Sequence, residues 1–554
     1  LISLSLRPAP VTDQWRSEGP KLTDLVARTK GLTLIEAPQP KDEALAIAVA
    51  MRSALEERKT VALITPDRTL GRRVSAALQR WGIVADDSAG RPLSLTAPGR
   101  LLRQVANMIG REPDPVDLIA LLKHPLAHSG HDDRGPHLRL TREFELFLRR
   151  AQTASVTGRE VQKFQEKRGE DEHAWCAALI NWLQLLGTSP EQTLTGCLTH
   201  HIAVAEALAA GGEQGTGQLW EQTAGRDALA LVERFRGEAD YDAALPFPEY
   251  HRLFEKALSA ENTRNYDTAR PDVMIWGTLE ARVQGADVVI LGGLNEDTWP
   301  ARPSADPWLN RSLRRRAGLL LPERQIGLSA HDYQQAAAAK EVIFSRARRD
   351  ADSETVPSRW LSRLTNLLEG LQDQNGAVAL RAMQDAGDAF LSMAALLDAP
   401  TRPVDPEPRP APAPPRDVRP KDYAVTEIQR LIRDPYAIYA KRILRLSRLE
   451  PLRAVPDARM RGNVFHAIME EAFSLDADFS DLDAATERMM EIGAAHFAQL
   501  PWPGVAALWA GHLESIAEVL VADEAARRAA GRPIALERKG RIDLPGTSFS
   551  LRGK

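Results

Sequence analysis

Two short apolar runs, separated by a charged turn, constrain the fold of this chain more than any other feature. The first run is residues 273–276 (VMIW), and the second is residues 288–291 (VVIL), which ends at Gly292-Gly293. Apolar runs of this length, bounded by glycine and polar residues, are typical of buried strands in an α/β sheet. The loop that follows is acidic and ends at Trp299-Pro300. Because open α/β sheets bind ligands at the carboxyl ends of their strands, this loop is a candidate binding site.

Near the start of the chain, strand-like and helix-like segments alternate. The pattern predicts strands at residues 32–36 and 60–65, and helices at about residues 41–58 and 69–81. A β-α-β-α order favours a parallel sheet. We therefore predict an α/β fold in which these early strands share one sheet with residues 288–291.

The region between these strand-bearing parts has a different pattern. From about residue 101 to residue 266, strand signals disappear and helical periodicity dominates, which indicates either an insertion into the α/β domain or a separate helical domain. Residues 399–420 are rich in proline, which is typical of a semi-rigid spacer. The predicted domains are residues 1–100 and 266–395 (the two parts of the α/β domain), 101–265 (the helical block), 396–420 (the linker) and 421–554 (a C-terminal domain).

Composition excludes several classes of protein. The apolar fraction of 44% and the charged fraction of 26% are those of a globular protein. The net charge of -4 gives no overall basic field, although basic residues confined to a groove still suit a nucleic acid. The two cysteines, Cys176 and Cys197, are too few for a disulfide framework or a four-cysteine cluster. The sequence shows neither an apolar run of about 18 residues nor a signal-peptide pattern. We therefore expect a cytoplasmic protein without a membrane span.

Two groups of arginines are candidate phosphate contacts. The turn at residues 65–68 opens the second helix, and its free amide groups and the side chains of Arg68 and Arg72 suit a phosphate. The alternative is a helix cap followed by a solvated basic turn. Farther along the chain, Arg311, Arg314 and Arg315 form either a solvated helix face or a surface that meets DNA phosphates.

Histidines mark two further positions. His466 and Glu470 are four residues apart in a helical pattern, so they share one helix face. Such a pair either binds a divalent cation or forms a surface hydrogen bond. His124, at a helix end beside a proline, is interpreted as a helix cap. The helix that begins near residue 425 is predicted to be capped by Thr426.

Several of these motifs resemble superfamily 1 DNA helicases, in the form found in AddB-type subunits of bacterial helicase-nucleases. Residues 284–287 (QGAD) stand where the fifth helicase motif has Lys-Gly-Leu-Glu, which implies nucleotide contacts by Gly285 and Asp287, with Arg68 from the fourth motif. Residues 345–348 (SRAR) resemble the sixth motif. This resemblance implies that Arg346 is a catalytic arginine that reaches the γ-phosphate of ATP.

The C-terminal region resembles RecB-type nuclease domains of the PD-(D/E)XK class through its Gly-x-x-x-His pattern at residues 462–466. The resemblance implies that His466, with Glu470, is a ligand of Mg²⁺. In its register, Asp543 lies on the strand before the acidic one, and the acidic residues and lysine are expected beyond Lys554. Many AddB-type chains carry an iron–sulfur cluster, but Asp434 replaces the expected cysteine, so no cluster is expected.

The implied function is that of the whole helicase-nuclease. No Gly-Lys-Ser/Thr occurs in the chain, so the P-loop that cradles ATP is absent from this sequence, and we expect no ATP hydrolysis by the chain alone. The resemblance implies a fragment of a subunit that resects double-strand breaks with an AddA-type partner and contacts double- and single-stranded DNA. The alternative is a non-catalytic, RecC-like scaffold that grips DNA and recognises a regulatory sequence.

Overall fold

The structure, a computed structural model, divides the chain into two compact units. It describes residues 1–553 except 8, 12, 189–191, 239–243, 265–268, 283, 304–305, 351–352, 454, 501, 535 and 537. Unit 1 comprises Leu1–Thr96, Gln222–Asp227 and Lys256–Val404. Unit 2 comprises Ala97–Glu221, Ala228–Glu255 and Asp405–Lys554. The domain bounds given above stay predictions, and the one between residues 265 and 266 falls outside the described residues.

The strands are numbered in chain order. They are β1 (Leu32–Ala37), β2 (Val61–Ile64), β3 (Ala85–Asp87), β4 (Arg91–Pro92), β5 (Asn262–Thr263), β6 (Arg270–Trp276), β7 (Val288–Leu291), β8 (Glu341–Ala347), β9 (Arg349–Asp350), β10 (Ser353–Glu354), β11 (Asp422–Ala424), β12 (Gly540–Asp543) and β13 (Ser550–Gly553).

The helices of unit 1 and unit 2 interleave along the chain. Those before residue 200 are α1 (Ile2–Ser5), α2 (Gln14–Glu18), α3 (Leu25–Arg28), α4 (Pro40–Glu56), α5 (Arg68–Gln79), α6 (Ala97–Met108), α7 (Pro115–Leu122), α8 (Gly135–Ala151), α9 (Gly158–Gln165), α10 (Glu170–Gly187) and α11 (Leu194–Ala210). The later ones are α12 (Gln222–Gly237), α13 (Phe247–Ala260), α14 (Arg311–Arg316), α15 (Glu323–Ala336), α16 (Arg359–Gly370), α17 (Gly376–Asp398), α18 (Val425–Arg433), α19 (Pro435–Ile438), α20 (Ala458–Ala472), α21 (Leu482–Phe497) and α22 (Pro503–Ala530).

Unit 1 is built on a six-stranded sheet with the order β1-β8-β7-β2-β6-β3, in which each neighbouring pair is parallel. The prediction that the early strands share one sheet with residues 288–291 is confirmed, because β2 pairs directly with β7. More than 200 residues separate these partners, so the sheet is closed by the return of the chain after the helical block.

Both faces of the sheet are buried. Successive residues of a strand point to opposite faces, and alternate side chains of the central strands enter two different cores. One core contains Leu34, Val289 and Phe344, and packs against α15 and α16. The other contains Ile35, Val288, Ile290 and Ile343, and packs against α4 and α5. Burial on both faces explains why the strands are continuous apolar runs.

The sheet edge at β1 is covered by α17. A Cβ atom added to Gly387 of this helix would lie 1.8 Å from the carbonyl oxygen of Leu34 in β1. Only glycine therefore allows the helix backbone to come this close. Coverage of the edge removes a row of unpaired backbone groups from solvent.

One strand extends beyond its apolar run, and one sequence prediction needs correction. Strand β8 continues past the apolar residues 342–344 to Ala347, because the side chains of Ser345 and Arg346 have buried polar partners. Thr426 does not cap α18, since it lies inside the helix. The first turn is instead closed by the carboxylate of Glu427, which accepts the N–H of Ala424 at 3.2 Å.

The C-terminal part of unit 2, residues 405–554, contains helices α18 to α22 and a small sheet. Helices α20, α21 and α22 share one apolar core around Ile468, Met489 and Leu513. In the sheet, β13 lies between β11, to which it is parallel, and β12, to which it is antiparallel.

One helix of the described residues, α22, is long and apolar enough to cross a membrane by length and composition. However, Trp509, Leu513, Ala517 and Val521 follow one another at intervals of four residues and pack into the core with α20 and α21. A core helix of a globular domain passes the same test, so this property alone is weak evidence for a membrane span.

Candidate functional site

Arg346 lies near the carboxyl end of β8, and it is almost fully buried. Its Nε donates to Asn295 Oδ1 at 3.1 Å, Nη1 donates to Glu36 Oε1 at 2.9 Å, and Nη2 donates to the carbonyl and hydroxyl oxygens of Thr355 at 3.0 Å. All three guanidinium nitrogens are therefore occupied inside unit 1. The role of Arg346 as a catalytic arginine towards ATP stays a prediction.

Glu43 is a second buried residue at the carboxyl ends of the strands, and the sequence analysis did not identify it. It belongs to the first turn of α4, and its Oε1 accepts the N–H of Gly293 at 2.9 Å and the hydroxyl of Ser345 at 2.6 Å. Burial, and to a lesser degree the charge of Asp67, raises the pKa of this carboxyl group. Glu43 thus links the ends of β7 and β8. Its place in a charged Lys-Asp-Glu sequence gave no signal, because helix first turns are commonly acidic.

Arg68 and Arg72 do line one cleft, of about 460 Å³, where β2, β3 and β6 end. Both arginines are exposed, and Arg72 donates weakly to Thr69 Oγ1 at 3.4 Å. Asp67 caps α5 by accepting the N–H of Thr69 at 2.7 Å, as the helix-cap alternative expected. Asp87, across the cleft, has a pKa raised by burial. The cleft combines two exposed guanidinium groups with carboxylates, so its charge is mixed.

Gly285 and Asp287 lie at the opposite ends of the strands, the amino ends, because they come just before β7. The carboxylate of Asp287, just before β7, accepts the N–H and the hydroxyl of Thr60, just before β2, both at 2.9 Å. These bonds lower the pKa of Asp287. The structure therefore does not bring together the three residues that the resemblance implies as nucleotide contacts. Arg68 lies at the carboxyl ends of the strands, whereas Gly285 and Asp287 lie at the amino ends. Their shared nucleotide role stays a prediction.

The arginines of α14 differ in whether their side chains form ion pairs. Arg311 pairs with Glu323 at 2.7 Å, and Arg314 pairs with Asp306 at 2.6 Å. The side chain of Arg315 is exposed and forms no hydrogen bond or ion pair with any residue of the described ranges. The run is therefore not a uniform cationic face.

His466 and Glu470 are both exposed on α20, and four residues in a helix turn the chain by about 40° beyond a full circle. They share one face, as predicted. Neither side chain forms a hydrogen bond to another described residue. In the part of the chain that the structure describes, no three His, Cys, Asp or Glu side chains come together to hold a metal ion. Mg²⁺ prefers a nearly octahedral set of oxygen ligands, so this pair is at most part of a metal site.

Two acidic residues of the sequence analysis have structural partners. Asp543 ends β12 with its side chain exposed, and it pairs with Arg541 at 3.1 Å. Asp434 caps α19 by accepting the N–H of Ala437 at 3.2 Å. Capping explains why a carboxylate is favourable at this position. The absence of an iron–sulfur cluster stays a prediction.

A cluster of buried histidines in unit 2 was also missed. His137 Nε2 donates to the carbonyl of Leu122 at 2.7 Å, since its Nδ1 accepts the indole N–H of Trp175 at 3.0 Å. His128 stacks on His137 with ring centroids 3.8 Å apart. Burial lowers the pKa of His137 to about 4 and that of His128 to about 3. The cluster is therefore neutral near pH 7 and belongs to the helical core.

The cap assigned to His124 is wrong. Its Nδ1 accepts the N–H of Leu126 at 3.2 Å, in the turn after α7, and burial lowers its pKa to about 4. A histidine that caps a helix C-terminus through the helix dipole must be protonated. The dense histidine spacing at residues 124, 128, 131 and 137 was the available signal.

Comparison with known families identifies the C-terminal region. Residues 423–554 match the family model described as the PD-(D/E)XK nuclease superfamily. The match begins in β11 and contains α20 with His466 and Glu470. The chain therefore carries a PD-(D/E)XK nuclease-type domain at its C-terminal end.

Similar curated proteins occur in Rickettsia. The chain is 22% identical to a protein of Rickettsia bellii over 88% of this chain and 54% of that protein. It is 23% identical to a protein of Rickettsia felis over 92% of this chain and 56% of that protein. Both relatives are named uncharacterized proteins. The chain spans about half the length of these relatives.

Proposed function

We propose that this chain is part of an AddB-type subunit of a helicase-nuclease that resects double-strand DNA breaks for recombinational repair. The observation that carries the proposal is the match of residues 423–554 to the PD-(D/E)XK nuclease superfamily, joined to an exposed histidine–glutamate pair on α20. The helicase part rests on the resemblance of residues 284–287 and 345–348 to helicase motifs. The whole protein would act on double- and single-stranded DNA in the cytoplasm, with an AddA-type partner and ATP.

His466 has the properties that a metal ligand needs. Its ring is exposed and makes no hydrogen bond to a described residue, so a ring nitrogen is available. Coordination uses the neutral imidazole, and a hydrogen bond to the second ring nitrogen would fix its orientation. In nucleases of this class a divalent metal supplies the activated water. His466 and Glu470 would contribute to its ligand set.

A specific observation favours a second candidate, a non-catalytic DNA-binding scaffold of the RecC-like kind. Arg346 uses all three guanidinium nitrogens inside unit 1 and is 6% exposed. An arginine that must reach a phosphate needs donors to spare. In this alternative, unit 1 keeps a helicase-like sheet as a structural platform and has no role in ATP hydrolysis.

The test is DNA cleavage by the purified full-length protein. Labelled linear duplex DNA is incubated with Mg²⁺ or with EDTA, and binding is measured in parallel. Cleavage that requires Mg²⁺ supports the nuclease. Binding without cleavage supports the scaffold and contradicts the nuclease, whereas the loss of both contradicts both candidates. DNA-stimulated ATP turnover by the present chain alone would contradict the assignment of unit 1 as a partial helicase domain.

A further inference from the structure

The exposed face of α20 continues beyond the histidine–glutamate pair. Arg459, Asn463, His466 and Glu470 are all exposed, at offsets of 0, 4, 7 and 11 residues. At 100° per residue, they fall within about 60° of one another around the helix. Ile468, on the opposite face, enters the apolar core. The helix therefore presents one polar stripe that runs from its first turn to the candidate metal ligands.

A cleft of about 390 Å³ opens at the first turns of this stripe. Its walls include Arg459 and Asn463 from α20, and Arg149 and Arg150 from the end of α8. The lining ends at Asn463, three residues before His466, which is about 4.5 Å along the helix axis. The helical part of unit 2 therefore contributes directly to a cleft beside the nuclease helix.

Three hydrogen bonds hold α8 and α7 against the segment that leads into α20. Arg149 Nη1 donates to the carbonyl of Glu450 at 2.7 Å, and Gln152 Nε2 donates to the carbonyl of Pro451 at 3.0 Å. Arg453 pairs with Asp114, at the start of α7, at 2.7 Å. These contacts lie within unit 2 and fix the two walls of the cleft relative to each other.

The arginines of the cleft divide into one structural residue and two free cations. Arg149 is engaged, because it also pairs with Glu145 at 2.6 Å. The side chains of Arg150 and Arg459 are exposed and form no ion pair or hydrogen bond with any residue that the structure describes. Two carboxylates also line the cleft. That of Asp457 caps α20 by accepting the N–H of Met460 at 2.7 Å, and that of Glu450 reduces the net positive charge.

We infer that Arg150 and Arg459 bind a backbone phosphate of a single-stranded nucleic acid and align the strand along α20 towards His466. The inference rests on the proposed nuclease function. Guanidinium groups match the oxygens of a phosphate in pairs, and the positive end of the helix dipole adds to the attraction. Arg459 and His466 are seven residues apart, about 10.5 Å along the axis. A strand held by the arginines at the first turn and lying along the polar stripe of α20 therefore continues towards His466.

The test compares arginines on the same helices. Binding of this chain to a labelled oligothymidylate strand is measured by fluorescence anisotropy in EDTA, at several salt concentrations. The variants are Arg150→Ala and Arg459→Ala. The controls are Arg142→Ala on α8 and Arg461→Ala on α20, which are exposed but do not line the cleft. Thermal midpoints should stay unchanged in all four variants, since each side chain is exposed.

We expect each cleft variant to weaken binding about five- to tenfold, and to reduce the salt slope by about 0.7 for each phosphate that is no longer neutralised. The control variants should change binding by less than about twofold. Equal weakening by Arg459→Ala and Arg461→Ala, or unchanged single-strand binding in both cleft variants, would overturn the inference. If the full-length protein cleaves DNA with Mg²⁺ while Arg459→Ala binds normally, the subsite is wrong and the nuclease stands. If the unmodified full-length protein neither binds nor cleaves DNA, the proposed function itself has failed.

Discussion

The carboxyl edge of the sheet in unit 1 and the exposed face of α20 in unit 2 use similar side chains in opposite states. At the carboxyl ends of the strands, Arg346 and Glu43 are buried, and each has one partner that is more than 300 residues away in sequence. On α20, the side chains of Arg459 and His466 are exposed and bonded to no described residue. The first arrangement already satisfies its polar groups. The second leaves them available to a ligand.

This difference separates two meanings of a motif match. A buried polar group with a complete set of partners contributes mainly to stability, because its removal leaves those partners unsatisfied. An exposed group without partners contributes little to stability, so its substitution can change ligand binding or activity while the stability stays the same. We therefore expect substitutions at the sheet edge to change the free energy of unfolding, and substitutions on α20 to change activity.

The largest effect is expected for Arg346→Ala, which should lower the free energy of unfolding by about 3 kcal/mol, the cost of breaking a buried ion pair. The matched control is Arg348→Ala. Arg348 also approaches Glu36, at 3.5 Å, but its side chain is 61% exposed, and we expect a loss of less than about 1 kcal/mol. Chemical denaturation measures both. Unchanged stability of Arg346→Ala, with reduced ATP turnover in the full-length protein, would contradict the structural role and restore the catalytic one.

The second effect is expected for His466→Ala in the full-length protein. Loss of a metal ligand should reduce Mg²⁺-dependent cleavage by about 100-fold, equivalent to about 2.7 kcal/mol, and leave the thermal midpoint unchanged. His512→Ala is the control, since His512 is an exposed histidine of the same domain on α22. Cleavage rate and midpoint are measured on the same preparations. If neither changes in His466→Ala, the metal-ligand role loses its support.

The sheet was predictable because its signal is local. Runs such as residues 288–291 are apolar over their whole length, and both faces of a parallel sheet are buried, so the strands could be located without knowledge of their partners. The end of β8 could not. Ser345 and Arg346 resemble the start of a polar loop, and their burial depends on Glu43 and Glu36, which lie 302 and 310 residues away. Sequence periodicity contains no information on such pairs.

The candidate site shows the same limit. Helical spacing alone placed His466 and Glu470 on one face, because the period of an α-helix is fixed. Arg459 belongs to the same stripe and was available to this argument. Arg150 was not, since its position beside α20 depends on hydrogen bonds between α8 and residues 450–451. His124 was assigned as a helix cap for a similar reason. A proline beside a helix end does not reveal whether the neighbouring histidine is buried.

A third prediction sharpens the contrast through pH. His201 is fully buried, with Nε2 bonded to the carbonyl of Leu102 at 2.9 Å and Nδ1 to the hydroxyl of Tyr250 at 2.8 Å, and burial lowers its pKa to about 4. A lowered histidine pKa gives stability that is present above the unfolded value of about 6.5 and is lost as the pH falls from there towards 4. The loss between pH 7 and pH 5 is about 2 kcal/mol for one such histidine.

The variant His201→Gln should be less stable at pH 7 and should lose about 2 kcal/mol less than the parent chain between pH 7 and pH 5. Urea denaturation at several pH values measures this difference. His331→Gln is the control, because His331 is 70% exposed. The same pH dependence in His201→Gln and the parent chain would show that the His201 ring does not remain neutral in the folded state.

The smallest effect is expected for Asp287→Asn, which tests whether an exposed motif residue with partners behaves like Arg346 or like His466. Its carboxylate accepts two hydrogen bonds from Thr60, which lower its pKa and tie the start of β7 to the start of β2. A lowered carboxyl pKa contributes stability that is present above the unfolded value of about 3.8 and disappears as the pH falls through the folded value. At pH 7, Asp287→Asn should therefore lower the thermal midpoint by about 1–2 °C, and this difference should vanish at acidic pH.

The control for Asp287→Asn is Gln284→Ala, in the same exposed turn. An unchanged midpoint, accompanied by weaker nucleotide binding in the full-length protein, would instead place Asp287 with His466 among the residues that serve a ligand.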